Sequence, residues 1–306
     1  MKFSIGIPAY KQKFLKDCIS SILNQTYKNF ELIIINDCSP EPVAEVVQSF
    51  NDLRIIYSRN DKNIGAENVV DNWNKCLEKA TGDFFILMGD DDHLEISYLE
   101  EFKLLIEAYP DQDVYHCRTR IIDENSQKID LASSWPVYES IYDNMLHRFE
   151  YGRLQFISDF VYRTSALRNN GGFYKLPLAW GSDDISSFIA IGNKGIAHIN
   201  KPLFNYRRNN QNISTTGNFD LKLKAVLGLR NWLEEFLMKE PLDENDKIIH
   251  SKLKSNFNNY IQQKKQDVLI YAMRRKGILG SLKWFFKKKQ YGLKNKDIFL
   301  SFIRSR

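Results

Sequence analysis

Apolar and polar positions along the first 110 residues switch between a two-residue and a helical period. "KFSIGIP" reads as a strand, and "KFLKDCISSILNQ" places Phe14, Leu15, Cys18, Ile19, Ile22 and Leu23 on one helical face. "FELIIIND" is a short β-rich run of the kind buried in the middle of a sheet. "PVAEVVQSF" then reads as a helix, "LRIIYS" as a strand, "NVVDNWNKCLEKA" as a helix ending near Gly82, and "DFFILMG" as a fourth strand. This β-α-β-α-β-α-β series predicts a parallel sheet with right-handed crossovers. Ligands of such sheets gather at the carboxyl ends of the strands. Three strands reach that edge with turn or polar residues: Pro8, Ala9 and Tyr10; Asn36 and Asp37; Asp90, Asp91 and Asp92.

Beyond Pro110 the pattern changes. "DVYHCRTRIIDENSQKI" reads as a hairpin turning at Asn125 and Ser126, and "LQFISDFVYR" as a further strand. Gly171 and Gly172 mark a turn. "DDISSFIAIGNKG" predicts a helix closed by Gly195, and "IAHINKPLFNYRRN" two short strands split at Pro202. From Phe219 onward the chain reads as increasingly basic helices.

The chain has 306 residues, enough for one large domain or one domain with an appendage. With 43% hydrophobic and 13% aromatic residues it can bury a core, which excludes wholesale disorder. Cys18, Cys38, Cys76 and Cys117 have no C-x-x-C spacing, as expected of a reduced, cytoplasmic chain without a disulfide framework. No apolar run approaches the roughly 18 residues needed to span a bilayer, and the N-terminus reads as a strand rather than a leader. The net charge of +5 conceals an asymmetry. From Lys247 to Arg306 there are 16 Lys and Arg against two acids, and the remainder is net negative. Two electrostatic habits suggest two jobs.

The chemistry centres on "FFILMGDDDHLEISYLEEF". Three adjacent carboxylates at the mouth of a buried strand repel one another unless a cation joins them. Hard ions such as Mg²⁺ or Mn²⁺ take oxygen ligands, typically one or two carboxylates plus substrate phosphates. The alternative is a solvated acidic loop in which Asp92 caps a helix beginning near Leu94.

The stretches "FSIGIPAYKQ", "FELIIINDCSP", "NIGAENVVDNWNKCLEKATGDFFILMGDDDHLEISYLEEF", "NGGFYKL", "WGSDDISSFIAIGNKG" and "KPLFNYRRNNQNIS" occur in this order over the first two thirds of the chain. Together they resemble family-2 glycosyltransferases. The resemblance implies an α/β GT-A fold, Rossmann-like, with a mostly parallel central sheet flanked by helices. This fold is expected over residues 1–217, with a basic α-helical C-terminal extension over 218–306. It implies a hexosyltransferase that takes a nucleoside diphosphate sugar, commonly a UDP-sugar, with Mg²⁺ or Mn²⁺. By the same resemblance Pro8, Ala9 and Tyr10 line the nucleoside, and Asp37 hydrogen-bonds base or ribose. A local cap before Ser39 and Pro40 is the plainer reading of Asp37. Asn63 and Gly65 match a donor-binding loop. Asp91 is the first metal ligand, Asp90 faces ribose or metal, and Asp92 is the third acid of the set. The family string usually has an Asp where Gly89 stands here.

"WGSDDIS" carries a second acid pair, whose plain reading is helix capping. The resemblance assigns Asp184 as catalytic base, with Asp183 in place of a more usual Glu. An acceptor hydroxyl needs a base to take its proton as it attacks the anomeric carbon. Attack opposite the departing diphosphate inverts that centre, through an oxocarbenium-like transition state. Gly172 and Trp180 are expected on the acceptor side, though a core Trp is the commoner fate. The resemblance allows His198 as a third metal ligand, though a hydrogen-bonded strand histidine is the commoner fate, and His93, His116, His147 and His250 have no partners at useful spacing. Arg207 and Arg208 read either as diphosphate contacts or as surface charges.

The basic C-terminal region reads either as helices packed on the catalytic domain or as a peripheral contact with the inner face of a membrane. The membrane reading suits a lipid-linked acceptor; a glycan acceptor does not require it. Nucleic acid is not expected, since no recognition motif accompanies the charge. Two other readings compete with a glycosyltransferase of surface polysaccharide synthesis. A sugar nucleotidyltransferase would carry a Gly-rich phosphate loop after the first strand, where this chain has "IPAYKQ". A non-catalytic basic binding module would not need both acid clusters.

Overall fold

In the computed structural model, residues 1–150, 152–209 and 218–305 are described, residues 275–281 by their backbone only. The expected boundary after residue 217 and the 210–214 end of the last family-like stretch lie outside the described residues. The chain forms two compact units, Met1–Lys175 with Ser182–Asn209, and Leu176–Gly181 with Asn210–Arg306.

The first unit is built on one ten-stranded sheet. Its leading half alternates as the periodicity predicts: β1 (Phe3–Ala9), α1 (Leu15–Leu23), β2 (Phe30–Asn36), α2 (Val43–Gln48), β3 (Ile55–Arg59), α3 (Val69–Lys79) and β4 (Phe84–Leu87). β3, β2, β1 and β4 lie side by side and parallel. All of β2 and β4 is buried, which is why both are continuous apolar runs rather than alternating ones. The core on one face joins Ile5, Ile7, Leu32, Ile34 and Ile86 to Ile19 and Ile22 of α1.

The second half of the sheet is mixed. After α4 (Tyr98–Ala108) come β6 (Val114–Ile122) and β7 (Lys128–Leu131), the expected hairpin, with Ser126 at φ 62° in its turn. β9 (Phe160–Arg163) runs antiparallel between β4 and β6, and β10 (Ile196–Arg207) runs parallel to β6. Two-residue strands β5 (His93–Leu94) and β8 (Tyr138–Glu139) pair with β10. α5 (Ile141–Phe149), α6 (Thr164–Asn169) and α7 (Ser182–Ile191) complete the unit.

Four local expectations are corrected. β10 is one strand, not two; Pro202 has no N–H to give the ladder, and the register slips on either side of it. No helix begins near Leu94, so Asp92 is not a helix cap. His93 and Leu94 pair with Asn205 and Phe204, and sheet pairing overrides a helical pattern that begins only at Tyr98. The strand over 154–163 is confined to Phe160–Arg163, because Ile157–Asp159 form a 3-10 turn whose Asp159 carboxylate accepts the Phe156 N–H at 3.1 Å. Helix α7 ends at Ile191, and Gly192 follows at φ 49°, three residues before Gly195.

The second unit holds α8 (Phe219–Phe236), α9 (Glu244–Tyr291) and α10 (Asn295–Arg304). Leu223, Val226, Leu229, Leu253, Ile261, Val268, Leu269, Trp284 and Ile298 are buried in it. Among the described residues no helix is long and apolar enough to cross a membrane.

Candidate active site

The carboxyl ends of β1, β2 and β4 meet at one edge. Ala9 is buried and Tyr10 exposed where β1 ends. Asp37 follows β2, and its N–H donates to the Ala9 carbonyl at 3.0 Å. Its buried carboxylate Oδ1 accepts from Asn60 Nδ2 at 2.8 Å and the Ile64 N–H at 3.1 Å, while Asn63 Nδ2 donates to the Asp37 carbonyl at 2.9 Å. Gly65, at φ 78°, takes the left-handed conformation that lets this loop turn into α3. Asp37, Asn63 and Gly65 therefore form one connected loop pair. The local cap that could have explained Asp37 is supplied by its neighbour: Asn36 Oδ1 accepts the Ser39 N–H at 2.9 Å.

The aspartate triplet follows β4, and all three residues are buried. Each carboxylate is aimed differently. Asp90 Oδ2 accepts the N–H groups of Tyr10 and Lys11, both at 2.8 Å, and so clamps the end of β1. Asp91 Oδ2 accepts from Lys11 Nζ at 2.7 Å and from Asn209 Nδ2 at 2.8 Å. Asp92 Oδ1 accepts the Arg207 N–H at 2.8 Å. A side chain at Gly89 would place its Cβ 2.6 Å from Asp92 Oδ2, so glycine stands where the family string has an acid because Asp92 folds back over it. Burial pushes the Asp90 carboxyl pKa up against the pull of Lys11. Burial and then Asp91 push that of Asp92 well up. Burial works to lower the Lys11 pKa, but Asp90 and Asp91 outweigh it and raise it.

Two partners of the triplet, Lys11 and Asn209, have no role assigned from sequence, and a third, Arg207, has two open readings. Lys11 stands in the "IPAYKQ" stretch, and its position one residue past Tyr10 was the available signal. Asn209 stands in "YRRNN". Of the two readings of Arg207, the surface charge is ruled out: it is 1% exposed, and its Nε donates to the Asp91 carbonyl at 2.8 Å. Arg208 is exposed.

Do these residues fit Mg²⁺ or Mn²⁺? Among the described residues no group of three His, Cys, Asp or Glu side chains is gathered as a metal cage. Asp90 and Asp92 each have an oxygen committed to backbone N–H groups, so the three acids do not converge as one ligand set. Asp91 does fit: it is an oxygen donor of the type hard ions prefer, at the end of a buried strand, and such ions complete their shell with water and substrate phosphate. Lys11 is the cation that rests on it.

The second acid pair opens α7. Asp184 is 2% exposed, and Arg148 of α5 donates to it through Nε at 2.7 Å and a terminal nitrogen at 3.3 Å. Asp183 is half-buried. Burial works against the charge on Arg148, but Asp184 and Asp183 outweigh it and raise its pKa. Gly172 has φ 82°, and a Cβ there would lie 2.5 Å from Asn74 Oδ1, the atom that accepts the Phe173 N–H at 2.8 Å. Trp180 belongs to the helical unit, where Lys222 Nζ sits 4.4 Å from its ring centroid.

The 3-10 turn Ile157–Asp159 touches the loop of the first acid cluster and lies within electrostatic reach of the partner of the second. Gly89 N–H donates to Ser158 Oγ at 3.2 Å, and Asp159 feels the charge of Arg148, the partner of Asp184. Asp159 also ends a buried chain that corrects the reading of His116 as partnerless. Asn200 Oδ1 accepts the Trp135 N–H at 3.0 Å and its Nδ2 donates to the Trp135 carbonyl at 2.9 Å, which orients the amide. His198 Nε2, 3.1 Å from that Oδ1, must then be a donor. Neutral His198 accepts at Nδ1 from His116 Nδ1, 2.8 Å away. That leaves His116 Nε2 bare, 3.0 Å from Asp159 Oδ1, with no other hydrogen-bond partner for either atom among the described residues. The arrangement closes with the proton on Asp159. Burial drives all three toward neutrality: His116 and His198 down, His198 to about 2, and Asp159 well up. Trp135 stacks on His116 with centroids 3.7 Å apart.

A separate cleft of about 500 Å³ is lined by Asp17, Ser21, Asn24, His93, Glu95 and Asn205, among others. None of the residues selected from sequence lines it.

The fold defines the class first: a GT-A α/β protein with helices at its C-terminus. The solved structure of Staphylococcus aureus TarS 1–349 in complex with UDP-GlcNAc superposes on the whole chain and 81% of that chain, with TM-score 0.68 at 18% identity. The family model for glycosyl transferase family 2 matches residues 4–169. The chain belongs to that family. Glycosyltransferase GlyA of Streptococcus pneumoniae is 26% identical over 184 residues, 59% of this chain and 24% of its own length. The putative colanic acid biosynthesis glycosyl transferase WcaA of Escherichia coli is 32% identical over 129 residues, 40% of this chain and 45% of its own. The chain thus spans less than half the length of these two relatives.

Proposed function

We propose that the protein is an inverting hexosyltransferase of surface polysaccharide synthesis. It moves a sugar from a nucleoside diphosphate sugar, a UDP-sugar, to a hydroxyl of a glycan or lipid-linked acceptor. The observation that carries this is the meeting of Asp37, Asp90 and Asp91 at one sheet edge. The UDP complex of TarS and the role in colanic acid synthesis given for WcaA support it.

In this reading Pro8, Ala9 and Tyr10 form the floor under the nucleoside, and the Asn63–Gly65 loop closes over it. Asp37 accepts from a base N–H or ribose hydroxyl. Asp91 holds Mg²⁺ or Mn²⁺, with Asp90 and Asp92 shaping the loop around it. When bound, the ion offsets the charge that builds on the leaving diphosphate. Lys11, released from Asp91, contacts a diphosphate oxygen. The acceptor enters beside Gly172. Its hydroxyl proton passes to a carboxylate oxygen of the Asp183–Asp184 pair as the oxygen attacks the anomeric carbon from the face opposite the diphosphate. Arg148 holds Asp184 in orientation, and that pairing must loosen for Asp184 to accept the proton. Residues 1–217 carry the transfer, and 218–306 are the helical extension.

Isothermal titration of UDP with and without Mn²⁺, then a donor screen by UDP release, tests the reading. Metal-dependent UDP binding and turnover of one donor are expected. Absence of any nucleotide binding would overturn it.

A further inference from the structure

The C-terminal helices bury one face and leave apolar side chains on another. Within the second unit, Trp284, Tyr291, Leu293 and Ile298 are buried. On α9, Leu282 is 52% exposed, Phe285 40% and Phe286 89%. With exposed Lys289 these occupy positions i, i+3, i+4 and i+7, which is one helical stripe. On α10, Phe299 and Ile303 sit four residues apart at 60% and 52% exposure, with Lys296 and Arg304 exposed beside them. The stripe on α9 is held firmly. Lys283, Lys287 and Tyr291 all donate to Asp220 at the start of α8, Lys287 at 2.6 Å and Tyr291 at 2.9 Å.

The charge around these residues is one-sided. Residues 283–306 hold eight Lys and Arg and a single acid, Asp297. Asp297 is buried, where it accepts the Lys294 N–H and a Gln266 amide hydrogen. Lys283 and Lys287 are taken by Asp220; the other described residues of this segment present exposed cations and large apolar groups to solvent with no exposed carboxylate of the segment among them.

We propose that the end of α9 and the whole of α10 form a docking surface for an anionic lipid bilayer. A solvated helix needs no phenylalanine at its most exposed position, and a purely electrostatic contact with a polyanion needs none either. Phe285, Phe286, Phe299 and Ile303 enter the boundary between headgroups and acyl chains. Lys289, Lys294, Lys296 and Arg304, all exposed, pair with lipid phosphates. The charge supplies approach and selectivity for anionic lipid, and the aromatics supply retention. This surface is independent of the donor and acceptor assigned above, and stands or falls without them.

The test is sedimentation of the full chain with vesicles of phosphatidylcholine alone and of phosphatidylcholine with phosphatidylglycerol. Binding is expected to the second only, weakening as salt rises. The double variant F286E/F299E is expected to reduce the bound fraction at least about tenfold with an unchanged thermal melt. Phe286→Trp, at so exposed a site, keeps the fold and serves as a second readout. Its fluorescence should be quenched by brominated anionic lipid. Three results would overturn the proposal: no sedimentation with anionic vesicles, wild-type binding by the glutamate variant, or an unquenched Trp in bound protein. So would a glutamate variant whose only change is loss of self-association.

Discussion

Lys11 Nζ lies 2.7 Å from Asp91 Oδ2 and 3.7 Å from Asp90 Oδ1, which joins the end of the first strand to an acid triplet eighty residues later. Its ammonium is the charge that a divalent ion would replace. Lys11→Met should therefore leave the unliganded protein less stable, by about 1–2 kcal/mol. Mn²⁺ should raise the melting temperature of the variant more than that of the parent. Equal shifts in thermal melts of the two proteins would mean that Lys11 and the metal do not compete.

Asp184 and Arg148 are a mostly buried pair, so removing one partner strands the other. Asp184→Asn should cost about 2–4 kcal/mol of stability and abolish transfer while UDP binding persists. Pairing it with Arg148→Met should recover much of the stability without restoring activity. Urea denaturation alongside a UDP-release assay separates the two effects. Recovery of turnover in the double variant would remove Asp184 from the chemistry.

The proton placed on Asp159 makes an unusual forecast. An asparagine can donate from Nδ2 to His116 Nε2 and still accept from Thr119 and the Phe156 N–H through its oxygen, as Asp159 Oδ2 does. Asp159→Asn should cost no more than about 1 kcal/mol. Asp159→Ala, which leaves His116 Nε2 and Thr119 Oγ1 unpaired, should cost about 2–4 kcal/mol. If chemical denaturation finds the asparagine variant as damaged as the alanine one, Asp159 is ionised and the assignment fails.

Glu31 sets an acid limit. It accepts from Lys2 at 2.5 Å, from Ser4 at 2.6 Å and from Thr81 N and Oγ1 at 2.6 and 2.7 Å. Burial raises its pKa, but these donors outweigh burial and bring it from 4.5 to about 2. Because the folded value is the lower one, the stabilisation is complete above the unfolded value and is lost as pH falls from about 4.5 toward 2. It amounts to at most about 3 kcal/mol, less for screening of the partly exposed Lys2. Parent and Glu31→Gln should differ in urea midpoint at neutral pH and converge as pH approaches 2. A gap that stays constant with pH would refute the clamp.

What was legible follows a physical divide. The strands β1 to β4 and their helices were readable because each buries a face whose period is local. The Asp90–Asp92 run was readable because three adjacent charges at a buried strand's end demand compensation. The compensators were not readable. Lys11 and Arg207 approach from 80 and more than 110 residues away in sequence, and nothing local distinguishes them from solvated cations. His116 was misread for the same reason: its partners His198 and Asp159 come from strand pairing, not from spacing. The helix expected after Asp92 failed because β10 offered His93 and Leu94 a pairing edge that outweighed their helical pattern.

By itself, then, the amino-acid order determined which segments bury themselves, which strand ends carry acids, and how unevenly charge is spread along the chain. These are properties of neighbours in the chain, and short-range periodicity encodes them. Only the tertiary structure decided which cation rests on Asp91, which guanidinium holds Asp184, where the proton of the histidine chain sits, and which apolar residues of the basic helices stay outside. Each of those depends on groups brought together by sheet pairing and helix packing, and their energies exist only at contact distance.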